Sequence, residues 1–166
     1  MQITSKIAPC LWFDSQAEEA AEFYVSIFKD SRIVKTTHYT KAGQEVHGRP
    51  PGSVMTVAFE LAGQAFTALN GGPIFKFNEA VSLQIQCEDQ AEVDYFWTRL
   101  TKGGEESQCG WLKDKFGLSW QVVPTILPRI FSDSNPESAG RAMHAMLGMK
   151  KLNIAELERA AAGGSR

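Results

Sequence analysis

Two stretches of this chain run through the same order of elements, a strand, a helix and then three strands, and that duplication limits it to a fold built from two like modules. In the first stretch, Ile7, Pro9, Leu11 and Phe13 alternate with Ala8, Cys10 and Trp12, which predicts a strand over 7–13 that is apolar on both faces. Asp14 or Ser15 then offers a side-chain oxygen to cap a helix, with Glu18 and Glu19 near its positive end. Ala20, Phe23, Tyr24, Ile27 and Phe28 share one face of that helix, which should stop near Lys29 and Asp30. Strands are expected over 32–39, 54–61 and 64–70, with a loop rich in Gly and Pro over 40–53 and a short turn at Ala62-Gly63.

Gly71-Gly72-Pro73 interrupts the pattern, and Phe75 and Phe77 alternate with Lys76 and Asn78 in a bridging segment. The order then restarts with a strand over 81–87, a helix over 89–100 carrying Val93, Phe96, Trp97 and Leu100 on one face, and a stop at Gly103-Gly104. The stretch 105–109 reads as a further strand. From Cys109 to Pro124 the sequence is CGWLKDKFGLSWQVVP. Trp111 and Leu112 lead into a charged turn at Lys113, Asp114 and Lys115 with Gly117 at its end, after which 118–123 reads as a buried strand closed by Pro124. Beyond it, residues 132–136 carry helix-start chemistry with Pro136 as a first helical residue. Met143, Met146, Leu147, Met149 and Leu152 supply helical apolar positions, and a break at 148–153 precedes a last helix capped by Asn153 with Glu156. Residues 163–166, Gly-Gly-Ser-Arg, read as a flexible end outside the fold.

The hairpin over 109–124 resembles the last hairpin of a βαβββ module in the vicinal oxygen chelate superfamily, where a DxxG turn precedes a strand whose inward side chain is often a metal ligand; here that place is held by Gln121. AEEAAEFY at 17–24, LNGGP at 69–73 and VSLQIQCEDQAEVDYFW at 81–97 strengthen the likeness. Over roughly residues 5–132 the chain is similar to the branch of the glyoxalase, bleomycin-resistance and dioxygenase superfamily labelled 3-demethylubiquinone-9 3-methyltransferase-like. The resemblance implies an α+β fold. Two βαβββ modules, about 5–72 and 73–128, would form a cupped mixed sheet within a domain 1–132, paired in a homodimer and followed by a helical tail over 133–166.

Function is less constrained, because one fold hosts many chemistries. The label names a methyl transfer, yet the chain has no glycine-rich strand-to-helix turn with an acidic residue about twenty positions on, and no length for a separate cofactor domain, so no cofactor is expected. The resemblance places the superfamily's metal ligands on Ala8, Ser82, Gln121 and a residue near Phe66 or Ala68. Ala and Phe cannot ligate, and neutral Ser and Gln suit a catalytic ion poorly, so no metal is expected. His38, His47 and His144 share no helical or strand-neighbour spacing; His38 and His47 are the ones that a folded-over loop would bring to the cup.

The remaining candidates form a neutral ligand face. Trp12 joins Ala8 and Cys10 on the first strand, Ser82, Gln84 and Gln86 lie on the fifth, and Ser119 and Gln121 on the last. Gln84 and Gln86 could equally satisfy one another. Asn70 with Gly71 and Gly72 could present N–H groups to a ligand or simply make a turn, and Cys109 beside Trp111 and Lys113 is either an activated or a buried thiol. A net charge of −2, from 17 basic and 19 acidic residues, gives no footprint for nucleic acid or an anionic membrane. No apolar run approaches a bilayer's thickness, and residues 1–9 lack a signal peptide's apolar stretch. Cys10, Cys87 and Cys109 form no CxxC pair, which argues against a disulfide framework or a cysteine-rich zinc site. The expectation is a cytoplasmic homodimer that binds a small molecule.

Overall fold

A computed structural model describes residues 6–132 and 135–164. The chain divides into two compact units, residues 1–76 and 77–166. The first contains β1 (Cys10–Phe13), α1 (Ala17–Ile27), β2 (Arg32–His38), α2 (Gln44–His47), β3 (Val54–Leu61) and β4 (Gln64–Asn70). Its four strands lie in the order β1-β4-β3-β2, with β1 parallel to β4 and the other pairs antiparallel. Ala62 and Gly63 both have positive φ, 47° and 81°, as the tight β3–β4 hairpin demands.

One face of this sheet carries α1. Ala17, Ala20 and Ala21 are small enough to let the helix approach closely, and Tyr24 and Ile27 complete the buried stripe. Beneath it lie Leu11, Phe13, Val57, Phe59, Leu61, Phe66 and Ala68. Tyr24 stacks on Phe59, and Phe59 on Phe66 at 5.3 Å between ring centroids. Burying each such side chain contributes roughly 1.5–3 kcal/mol.

Three local expectations are corrected in this unit. The first strand is shorter than 7–13 and is not apolar on both faces: Ile7 is 83% exposed, Leu11 and Phe13 are buried, and Cys10 is exposed. Neither Asp14 nor Ser15 caps α1. Its N-cap is Gln16, whose side chain makes no capping bond; the Oδ1 of Asn70, from the end of β4, instead accepts from Ala17 N at 2.8 Å. The loop over 40–53 holds the short α2 and closes on itself, with Tyr39 N donating to Ser53 O and Gly52 N to Tyr39 O.

The second unit repeats the order. It contains β5 (Leu83–Cys87), α3 (Gln90–Leu100), β6 (Glu105–Glu106), β7 (Trp111–Lys113) and β8 (Ser119–Pro124), followed by α4 (Ile126–Phe131), α5 (Pro136–Leu147) and α6 (Ile154–Ala161). The strand order β5-β8-β7-β6, with β5 parallel to β8, is the same circuit as in the first unit. Asp89 caps α3 by accepting from Glu92 N, while a Glu92 carboxylate oxygen accepts from Glu88 N, a reciprocal pair readable from the sequence. Val93, Trp97 and Leu100 are buried on α3, and Ile85, Cys87, Leu112, Trp120 and Val122 on the sheet. The strand expected over 105–109 stops at Glu106, because Cys109 and Gly110 both turn to positive φ. That expected over 81–87 begins at Leu83, and Val81 is 71% exposed.

The hairpin turn is built on Asp114. Its Oδ1 accepts from Phe116 N and Leu118 N, and its Oδ2 accepts from the indole N–H of Trp120 at 2.8 Å. Gly117, with φ 84°, lets the chain reverse. The three C-terminal helices enclose a core of Val123, Leu127, Ile130, Ala142, Met149, Leu152 and Leu157. Asn153 caps α6 through Glu156 N as expected, and Asn135 caps α5 through Glu137 N with Pro136 in the first turn. Residues 133 and 134, and 165 and 166, fall outside the described residues, so the expectations placed on them have no structural counterpart. Helix α4 was not anticipated, and Met143 and Leu147 are exposed rather than part of the helical core. The extension is tied down by backbone bonds from Cys109 N to Met149 O and Gly110 N to Lys150 O, and by Gln90, whose side chain donates to Leu152 O and accepts from Ile154 N. Among the described residues no helix is long and apolar enough to cross a membrane.

Candidate functional site

The sheet face opposite the helix is open in the first unit and only partly so in the second, where Ser119 and Val123 on that face of β8 are buried, Val123 in the core of the C-terminal helices. In the first unit β1 offers Cys10 and Trp12, paired with Thr67 and Leu69 of β4, and β3 and β2 add Thr56 and Thr37, whose hydroxyls lie 2.6 Å apart. Trp12 is held as a clasp: its indole N–H donates to Gly72 O at 2.8 Å and Phe75 meets its ring edge-on at 4.9 Å. A Cβ on Gly71 would stand 2.2 Å from that ring, so the first glycine of the Gly71-Gly72 turn is needed for close approach. The polar groups of Asn70 serve the scaffold. Its Oδ1 caps α1, its Nδ2 donates to Val54 O, and the N–H groups of Gly71 and Gly72 donate to Phe13 O. The turn is therefore bonded within the protein and presents no free N–H row.

His38 sits exposed at the end of β2. His47 lies tilted against Tyr39 at 4.5 Å between ring centroids; its Nδ1 meets Arg49 N and its Nε2 faces Ala42 O. Arg49 in turn bonds Asp14 through both the backbone oxygen and the carboxylate, fastening the loop to the β1–α1 corner.

In the second unit the candidates converge. Gln86 Nε2 donates to Gln84 Oε1 at 2.9 Å, Gln84 Nε2 reaches Gln121 Oε1 at a long 3.5 Å, and Gln121 Nε2 donates to Ser82 Oγ at 2.8 Å. The parallel register that sets Gln84 beside Gln121 makes this chain of amides, and the antiparallel register that sets Trp111 opposite Gln121 puts an aromatic wall next to it. Ser82 lies one residue ahead of β5, yet its hydroxyl still closes the chain. Gln84 and Gln86 thus satisfy one another, as the alternative reading has it, and both remain exposed.

These residues do not fit the metal held by the superfamily's enzymes. Ala8 offers no donor, and Ser82 and Gln121 are neutral and bonded to one another. The fourth position is corrected by the structure: Phe66 and Ala68 are buried on the side of the sheet that carries α1, not on the open face. Among the described residues no group of three His, Cys, Asp or Glu side chains is placed to hold a metal ion.

Cys109 turns toward the C-terminal extension, where its thiol donates to Met146 O at 3.6 Å, while the Lys113 ammonium expected beside it pairs with Glu79. That pairing holds Glu79 below the usual carboxylate range and raises Lys113, in each case chiefly through the hydrogen bond between them. Burial, reinforced by Glu92 and Asp89, pushes the Cys87 thiol up to about 12. Iodoacetamide at pH 8 is therefore expected to leave Cys87 unmodified in folded protein and to label it only after denaturation, read by peptide mass spectrometry.

Two cavities of the second unit stand out. One of about 340 Å³ continues the open face past Trp111, and sequence reasoning missed most of its lining, Glu79, Glu105, Glu106 and Ser107 among them. A wider groove of about 1150 Å³ runs along α5 and α6, but its Arg141 is spent on the last carbonyls of α6, those of Ala160 and Ala161, so it reads as a helix-capping seam.

The family model for 3-demethylubiquinone-9 3-methyltransferase matches residues 5–123, so α4 to α6 lie beyond it. A PhnB protein from Bacillus cereus shares 33% identity at a TM-score of 0.65, covering 73% of this chain and all of that one. A protein from Pseudomonas aeruginosa shares the fold at 18% identity and a TM-score of 0.58, covering 73% of this chain and 98% of that one. None of the curated proteins compared with the chain matches it. With its two four-stranded βαβββ sheets and this match across most of its length, the chain belongs to the 3-demethylubiquinone-9 3-methyltransferase-like family of the vicinal oxygen chelate superfamily.

Proposed function

We propose that this is a homodimeric, cytoplasmic small-molecule-binding or sequestering protein of the glyoxalase and bleomycin-resistance type, with a domain over 1–132 and an appended tail. The part of its ligand that lies on the sheet face is planar and uncharged or weakly polar, bound without a metal. The observation that carries the reading is the Ser82–Gln121–Gln84–Gln86 chain beside Trp111. Amides and a hydroxyl can donate and accept but cannot compensate a buried charge, and an aromatic wall suits a flat ligand. The open face of the first unit is neutral in the same way, with Thr37, Thr56, Thr67 and Trp12. Exposed Ile74, Phe75 and Val81 are apolar surface of the kind a dimer covers, and three free cysteines suit a reducing compartment.

Protein purified without chelator or added metal is expected to contain well under one transition-metal ion per chain by elemental analysis. Its thermal midpoint should not move across a panel of Mn, Fe, Co, Ni and Zn salts. A stoichiometric metal, or a shift of several degrees with one ion, would support instead an enzyme that holds a metal through groups such as His38, His47 or Gln121.

A further inference from the structure

We infer that the cavity beside Trp111 is a subsite for a primary ammonium group, an anchor at the charged end of a ligand whose flat body lies on the glutamine chain; this rests on the second unit's open face being the ligand face. The cavity, about 340 Å³, is lined by Glu79, Glu105, Glu106, Lys113, Trp111 and Ser119, with Ser107 and Leu112. Of its three carboxylates Glu79 pairs with Lys113 and Glu106 with Lys150 at 3.7 Å, so the uncompensated charge is that of Glu105, which opposes an anion. Lys113 is already paired with Glu79, and Glu106 accepts from the indole N–H of Trp97, so Glu105, which faces Lys113 across the β6–β7 pair, is the carboxylate best placed for a new partner.

The independent observation is Ser119. It is 1% exposed, lines this cavity, and its Oγ has no hydrogen-bond partner among the described residues. An unmet buried hydroxyl destabilises the empty protein, and such groups persist where a ligand completes them. A primary ammonium presents three donors on a compact charge, enough for Ser119 Oγ and the Glu105 carboxylate together, while Trp111 adds a cation–π surface. A metal ion is a poorer fit, since the three carboxylates of the lining are not placed to hold one: among the described residues no group of three His, Cys, Asp or Glu side chains is.

The test is a ¹⁵N NMR titration of the full chain with 2-phenylethylammonium and, at matched ionic strength, with its neutral counterpart 2-phenylethanol. The ammonium probe is expected to shift Ser119, Lys113 and Glu105 and to bind about tenfold tighter than the alcohol, the scale of one charge-assisted hydrogen bond. Ser119→Ala should erase that preference and raise the thermal midpoint of the ligand-free protein, and Glu105→Gln should also erase the preference. Equal binding of both probes, with shifts at Trp111 and Gln121 but not Ser119, would overturn the subsite and leave the ligand face standing. A preference that survives Ser119→Ala also overturns it, and silence from both probes counts against subsite and face alike.

Discussion

Asp114→Ala is expected to lower the stability of the protein by about 3–5 kcal/mol, on the scale of 1–3 kcal/mol for each buried donor left unmet. The carboxylate is 3% exposed and accepts from the N–H groups of Phe116, Leu118 and the Trp120 indole. Alanine would remove the acceptor of all three bonds, and Trp120 is itself 2% exposed, so water cannot take the carboxylate's place at its indole. Against a total of roughly 5–15 kcal/mol for a domain, this is a large fraction. Urea unfolding should show a lower midpoint with an unchanged slope. Asp114→Asn should recover part of the loss, because its amide oxygen can still accept from Phe116 N and Leu118 N. If Asp114→Ala unfolded within about 1 kcal/mol of the parent, the hairpin would not depend on this turn.

Gly104→Ala is the second large effect, and its cause is backbone rather than hydrogen bonding. A Cβ there would lie 2.1 Å from Lys113 O and 2.8 Å from Asp114 C, both main-chain atoms that cannot swing aside. Overpacking a site with no flexible neighbour costs about 3 kcal/mol or more. The useful contrast is Gly117→Ala, where no atom of the described residues lies within 4 Å of the added Cβ and only the positive φ is penalised, at about 1–2 kcal/mol. Thermal unfolding of the two variants side by side should put Gly104→Ala well below Gly117→Ala; the reverse order would mean that β7 gives way to the added methyl.

The sequence carried those parts of the structure that are held by neighbours in the chain. The Ala62-Gly63 turn, the Asp114 turn and the Asn153 cap all join residues within a few positions of one another, so their chemistry could be read locally. What escaped depends on distant partners. The α1 cap comes from Asn70, 53 residues beyond Ala17, and no pattern near Asp14 and Ser15 reveals it. The open face of β4 was misplaced because both of its faces are apolar: Ala65, Thr67 and Leu69 look no more exposed in sequence than Phe66 and Ala68, so alternation cannot say which set meets the helix.

The ligand face shows the same division. Ser82, Gln84, Gln86 and Gln121 are recognisable as neutral polar positions at strand spacing, and the structure joins them. Trp12 and Asn70 carry similar chemistry but are largely spent on the Gly71-Gly72 turn and the α1 cap. Ser119 sits in β8, where every neighbour except Gln121 is buried, so no alternation marks its hydroxyl as unmet. The ion pair of Lys113 with Glu79 joins β7 to the segment ahead of β5 and leaves no local trace.

The central claim is that this face binds the flat, uncharged body of a small molecule with its glutamine amides and without a metal. Titration of ¹⁵N-labelled protein with benzamide in the presence of EDTA, followed at the side-chain NH₂ signals, tests it directly. The account predicts saturable shifts at Gln84, Gln86 and Gln121 that are lost in Gln121→Leu. Side-chain signals that stay silent with EDTA and respond only after a divalent metal is restored would contradict it.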